Sequence, residues 1–187
     1  MWLRFKWLSV LMFVAAVTSA QHINIDQFNN EVIKKELHQA AYKTSAFDAA
    51  ETGNYDIFYH KCNWNIDPDT LMICGSVETH FTLTQNATSI FYDAADNLII
   101  DSVWLNEINI DFNRITNAVE ILFGEELSSG ENLSTTVFYR GSPASTGFGS
   151  FVKGTNSGGN VIWTLSEPYG ASDWWPCKQT LNDKIDS

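Results

Sequence analysis

From Asp26 to Lys43, apolar residues recur at spacings of three and four: Phe28, Val32, Ile33, Leu37, Ala40 and Ala41. That period gathers them on one stripe of a helix, and Asp26 can cap its amino end. The spacing predicts a helix over 26–43 that packs as a leader on the downstream part of the chain. Residues 48–54, small or polar around Gly53, read as a linker. From Tyr55 the period shortens. Tyr55–Ile66 and Leu71–Leu83 read as a hairpin closed by Asp67-Pro68-Asp69-Thr70, since proline presets the backbone and the acids stabilise a turn. Further strands are predicted at Ser89–Tyr92, Asn97–Leu105, Ile108–Phe112, Ala118–Phe123 and Leu133–Tyr139. Gly147–Val152 and Val161–Thr164 read as two more, joined by a Gly154–Gly159 loop. Short strands separated by turn residues at roughly 8–12-residue intervals predict an all-β antiparallel sandwich or barrel. Several carry apolar residues on both faces, the pattern of a sheet covered on both sides.

The amino terminus has its own pattern. Arg4 and Lys6 precede an apolar run from Trp7 to Val17, and Thr18-Ser19-Ala20 comes next. This is the layout of a secretory signal peptide cleaved after Ala20. The apolar run falls well short of the ~20 residues a membrane-spanning helix needs, so no transmembrane anchor is expected. The chain reads as exported, periplasmic or extracellular. Three parts result: a signal peptide over 1–20, a helical leader and linker over 21–53, and a β domain over 54–187.

Composition then narrows the function. The 187 residues hold 11 Lys+Arg against 22 Asp+Glu, a formal net charge of −11. Nucleic acid is excluded as a partner, because neutralising phosphates needs a basic face. Export permits disulfides. Cys62 and Cys74 lie on the two arms of the predicted hairpin. An odd number of loop residues would set them face to face, and an even number on opposite faces. The favoured expectation is a Cys62–Cys74 bridge with Cys177 a buried free thiol. His60, Cys62 and Cys74 are also the one set that a metal could gather, a lesser alternative in an oxidising compartment.

Self-contained catalysis is not visible. No histidine among His22, His38, His60 and His80 is followed by glutamate, so the His-Glu-x-x-His of zinc peptidases is missing. There is no Gly-x-Ser-x-Gly elbow, and no glycine-rich loop suited to phosphate. The acid that draws attention is Glu167, where a strand ends in Trp163-Thr164-Leu165-Ser166-Glu167-Pro168 beside the aromatic run to Cys177. A carboxylate at a sheet rim can bind a cationic group, or can simply be satisfied by nearby backbone N–H groups. Asp173 and Asp183 read as solvated or capping charges. The Trp174-Trp175 pair is expected to pack inward.

Tyr55-Asp56, Trp64-Asn65-Ile66-Asp67-Pro68, Ile73-Cys74-Gly75-Ser76-Val77, Asp101-Ser102-Val103, Tyr139-Arg140-Gly141-Ser142-Pro143, Thr164-Leu165-Ser166-Glu167-Pro168 and Trp175-Pro176-Cys177 occur in this order. Together they resemble the amino-terminal domain of aminopeptidase N-type zinc metallopeptidases, with a look of exported Bacteroidetes-like members. In that family Thr-Gln-x-Glu-Pro leads into Ala-Arg-x-x-Phe-Pro-Cys-x-Asp-Glu-Pro. Here Leu165 stands for the usual Gln, Ser172 for the Arg, and Lys178-Gln179-Thr180-Leu181 for x-Asp-Glu-Pro.

The resemblance implies a saddle-shaped antiparallel β-sandwich packed on a separate zinc catalytic domain, the chain ending before that domain. Glu167 would hold the free α-amino group of a peptide substrate, with Leu165 and Ser166 near the pocket for its first side chain. Zinc would belong to the complete enzyme, with no ligand and no catalytic residue in this chain. Two other readings stand beside it: a non-catalytic exported β-sandwich that binds protein or carbohydrate through surface aromatics, and an inert fragment. Trp residues exposed in a row would favour the binding module. Trp163, Trp174 and Trp175 buried together would favour the peptidase scaffold.

Overall fold

The computed structural model describes residues 30, 33, 34, 53–145, 149–166, 169–180, 183, 185 and 186. The segment predicted as a signal peptide and most of the predicted 26–43 helix lie outside them. Asn30, Ile33 and Lys34 are helical and belong to a unit that ends at Lys34, separate from the β domain.

The β domain has ten strands: β1 Tyr55–Asp67, β2 Met72–Leu83, β3 Ala87–Asp93, β4 Leu98–Leu105, β5 Ile108–Ile110, β6 Phe112–Ile115, β7 Ala118–Leu127, β8 Asn132–Gly141, β9 Phe151–Asn156 and β10 Gly159–Thr164. All pairings are antiparallel. A five-stranded sheet runs β1-β2-β8-β4-β5, a three-stranded sheet β3-β7-β6, and β10-β9 form a hairpin. The all-β expectation holds.

Alternation explains the core. Val77, Thr79, Phe81 and Leu83 of β2 point inward with Leu133, Thr135, Val137 and Tyr139 of β8, and meet Ile90, Tyr92, Val119 and Ile121 of the smaller sheet. Burying a large apolar side chain contributes about 1.5–3 kcal/mol, so this shared layer dominates the stability. Polar groups inside it are paired. The Tyr92 hydroxyl bonds Thr135 Oγ1 at 2.7 Å across the sheets, and Tyr55 Oη donates to the Phe91 carbonyl at 2.6 Å.

Three expectations need correction. The run Ile108–Phe112 is not one strand. The chain changes sheet at Asp111, so β5 pairs with β4 while β6 pairs with β7. Unbroken alternation hides that crossing. The Gly154–Gly159 stretch is strand as far as Asn156, with only Ser157 and Gly158 between the two strands. Gly154 is there because a Cβ would lie 2.6 Å from the Trp163 ring, so the glycine makes room for an aromatic rather than a loop. Finally, the outer face of the five-stranded sheet is open. Ile99, Trp104 and Phe138 point away from the core and are 53%, 39% and 39% exposed.

Cys62 and Cys74 also depart from expectation. The hairpin pairs Asp67 with Met72, which leaves an even loop, residues 68–71. Cys62 therefore registers with buried Val77 on the inner face, and Cys74 with Asn65 on the outer. Their side chains point to opposite sides of one sheet, and all three cysteines are free thiols. The expected bridge is not formed.

Candidate functional site

The segment after β10 is held by a chain of specific contacts. Leu165 extends the hairpin by one bond, its N–H donating to the Ser150 carbonyl at 3.2 Å. The Ser166 carbonyl accepts the Gly170 N–H at 2.7 Å. Gly170 is required there, since a Cβ would sit 2.5 Å from the Ser150 Cβ. A short 3₁₀ turn, Ala171–Asp173, comes next, and the N–H groups of Trp174 and Trp175 both donate to the Ala171 carbonyl at 3.1 Å. The turn is tied to the core at both flanks: the Ser172 carbonyl accepts Ala95 N–H at 2.8 Å, and the Asp173 carbonyl accepts Ala144 N–H at 2.9 Å.

Aromatic packing then locks the segment to β1. Trp174 is buried, with its ring centroid 4.5 Å from that of Trp64 and 5.6 Å from that of Phe151. Trp175 meets His60 edge-on at 5.3 Å and Trp64 at 6.1 Å. Such pairs contribute roughly 0.5–1.5 kcal/mol each beyond burial. Trp174 Nε1 donates to Ser166 Oγ at 2.9 Å, so the buried ring positions Ser166 directly. Tyr139 Oη donates to the Trp174 carbonyl at 2.9 Å. Beyond it, Cys177 and Asp93 exchange backbone hydrogen bonds at 2.8 and 3.0 Å.

The charges within this seat are buried. Asp173 is 1% exposed and its carboxylate accepts the buried Ser150 hydroxyl. Lys178 donates to the Tyr55 carbonyl and to Asp183, each at 2.5 Å, with its ammonium 4.2 Å above the Tyr55 ring. Asp173 and Asp183 are thus internal fasteners, not solvated charges. Burial pushes the His60 imidazole down to about 4, so the ring is neutral at pH 7, with Nδ1 2.9 Å from Thr79 Oγ1. Burial likewise pushes the Cys177 and Cys62 thiols and the Tyr139 and Tyr55 phenols up.

Of the residues singled out in the sequence, Glu167 lies outside the described residues. Its neighbours do not. Leu165 is about half exposed and Ser166 half-buried at the end of β10. Trp174 and Trp175 pack inward as expected. Trp163 does not join them; it is 49% exposed on β10. Sequence reasoning misses the supports Trp64, His60, Ser150 and Tyr139. The inward alternation of His60, Cys62 and Trp64 on β1 is the available signal, but only the fold brings that face against a segment about 110 residues later. His60 and Cys62 share the inner face while Cys74 does not, and among the described residues no three His, Cys, Asp or Glu side chains could hold a metal ion. A catalytic zinc would need other ligands.

Neither a family model nor a curated protein matches the chain in sequence. Solved structures do match in fold. An M1 zinc metallopeptidase from Deinococcus radiodurans, captured with a Tyr-Ser-Ala substrate, aligns over 70% of this chain and 31% of its own, with a TM-score of 0.59 and 19% identity. The native leukotriene A4 hydrolase of yeast aligns over 71% of this chain and 22% of its own, with a TM-score of 0.57 and 17% identity. The chain therefore spans less than a third of either relative's length. The β domain described here has the fold of the amino-terminal β-sandwich domain of M1 zinc metallopeptidases.

Proposed function

We propose that this chain is the amino-terminal part of an exported zinc aminopeptidase, which removes residues from the free amino terminus of peptides. Glu167 supplies the carboxylate that pairs with the substrate α-ammonium group, and Leu165 and Ser166 border the first side chain. An anionic anchor at a fixed distance from the reaction centre restricts cleavage to the terminus, because only a free amine makes the charge-assisted bond. The zinc and the residues that hold it come from a downstream domain, where the metal would polarise the scissile carbonyl. The observation that carries this reading is the clasp on described neighbours of Glu167: the Trp174 indole bonds Ser166 Oγ, and the Ser166 carbonyl accepts the Gly170 N–H. The inward packing of Trp174 and Trp175 favours a scaffold over a sugar-binding aromatic row, whereas exposed Trp163 and the exposed Trp104–Phe138 pair on the outer sheet face favour the latter. The test is the protein encoded by the uninterrupted reading frame. It should contain His-Glu-x-x-His beyond Ser187, bind one zinc per chain, and release the first residue of unblocked peptides. A stop codon after Ser187, or a full-length product without zinc, would leave the binding-module reading in its place.

A further inference from the structure

The structure assigns a glycan-binding site to the outer face of the five-stranded sheet, centred on Trp104 and Phe138 and suited to a neutral, curved chain of hexopyranose units. Both rings are exposed, and their centroids lie 6.3 Å apart with planes inclined at 63°. The strand register sets them diagonally. Phe138 pairs with Ser102 on one side and Ser76 on the other, while Trp104 pairs with Thr136 and Asn109. Trp104 Nε1 donates to Ser102 Oγ at 3.3 Å, which fixes the indole plane and leaves the Ser102 hydroxyl proton for a ligand. The side chains of Ser76, Thr136 and Asn109 share this face and make no hydrogen bond to other described residues. Two exposed rings are thus bordered by short polar groups with unused donors and acceptors.

Charge selects the occupant. The ionised groups beside the rings are already paired: Lys61 lies 3.7 Å from Glu78, and Arg140 lies 3.1 Å from Asp101. These four groups sum to zero, so they draw neither a polyanion nor a strongly charged peptide. A second copy is disfavoured as well, since each chain carries a formal charge of −11. A neutral sugar matches the rest: the C–H side of a pyranose stacks on an aromatic face, and its hydroxyls exchange hydrogen bonds with the bordering groups. Neighbouring strands lie about 4.8 Å apart, close to the width of one pyranose ring. Rings inclined at 63° cannot both lie against one flat surface. A chain that turns from unit to unit therefore fits, and a crystalline cellulose sheet does not. The site is separate from the peptidase chemistry, because neither Glu167 nor a metal enters it.

The full chain is titrated by calorimetry with maltoheptaose and with laminarihexaose, two neutral chains that turn between units, and is mixed with crystalline cellulose in a pelleting assay. Saturable binding of at least one soluble chain is expected, with the protein left in the cellulose supernatant. Trp104→Ala and Phe138→Ala should each weaken that binding by roughly tenfold or more, as for other aromatic anchors. Trp163→Ala, on a different hairpin, should leave it intact. Ser102→Ala removes only the bond that fixes the indole and should cost about threefold, a readout that survives if either ring variant folds poorly. Several results would overturn the site: no binding of either soluble chain, equal affinity in the Trp104, Phe138 and Trp163 variants, or cellulose retaining the protein as strongly as the soluble chains bind. So would a dimer in sedimentation equilibrium that Trp104→Ala dissociates, since a second copy would then cover the face.

Discussion

His60 shows how one side chain reports the packing of two distant segments. Its ring lies between Thr79 and Trp175, and burial lowers its titration to about 4 from an ordinary value near 6.5. Between those values the unfolded chain binds a proton that the folded chain refuses. Stability from this group is therefore complete above about pH 6.5 and declines as pH falls towards 4, with no further change below. Urea unfolding should give a lower midpoint at pH 4.5 than at pH 7, and the slope should flatten in His60→Gln. NMR titration should place the ring midpoint near 4; a midpoint near 6.5 would mean the ring is solvated. Trp174 is the second such residue. Trp174→Ala should cost about 3–5 kcal/mol in urea unfolding, through the cavity it leaves against Trp64 and Phe151. Trp174→Phe retains much of the packing but loses the bond to Ser166, and should cost less. An Ala variant as stable as the parent would show that the indole is not the clasp.

At the scale of elements, glycines mark where strands approach too closely for a side chain. A Cβ on Gly75 would lie 2.0 Å from the Asn63 carbonyl oxygen of the neighbouring strand, whereas one on Gly154 meets only the exposed, movable Trp163 ring. Gly75→Ala should therefore destabilise by about 1–3 kcal/mol and more than Gly154→Ala, since backbone yields less readily than a side chain. Equal losses would contradict the pairing of β1 with β2. The strands themselves are legible in the sequence, because β-branched and aromatic residues alternate and turn residues punctuate them. The first hairpin is placed to within about a residue. What stays hidden is parity and partnership. An even loop looks like an odd one until the register is known, so the sequence alone does not exclude Cys62 and Cys74 facing each other. The β5–β6 crossing is hidden because its apolar alternation runs unbroken through Asp111 while the hydrogen-bonding partner changes.

At the scale of the molecule, one β domain holds Ser166 against an aromatic seat built from β1, β9 and the Trp174–Cys177 segment. The fold class can be read from strand spacing, while the role proposed for Glu167 rests on the resemblance to a peptidase motif. The seat cannot, since Trp64 and Tyr139 meet Trp174 only after the sheet has formed. The acidity of the chain argues against a nucleic-acid partner but does not single out a carboxylate; only the motif does that. The central claim is that Glu167 anchors the substrate amino group, and kcat/KM for an alanine anilide measures it most directly in the full-length enzyme. Glu167→Gln should lower kcat/KM by roughly 10–100-fold, the loss of one charge-assisted bond, while zinc content and melting temperature stay unchanged. An unchanged kcat/KM in a zinc-loaded, folded variant would contradict the claim.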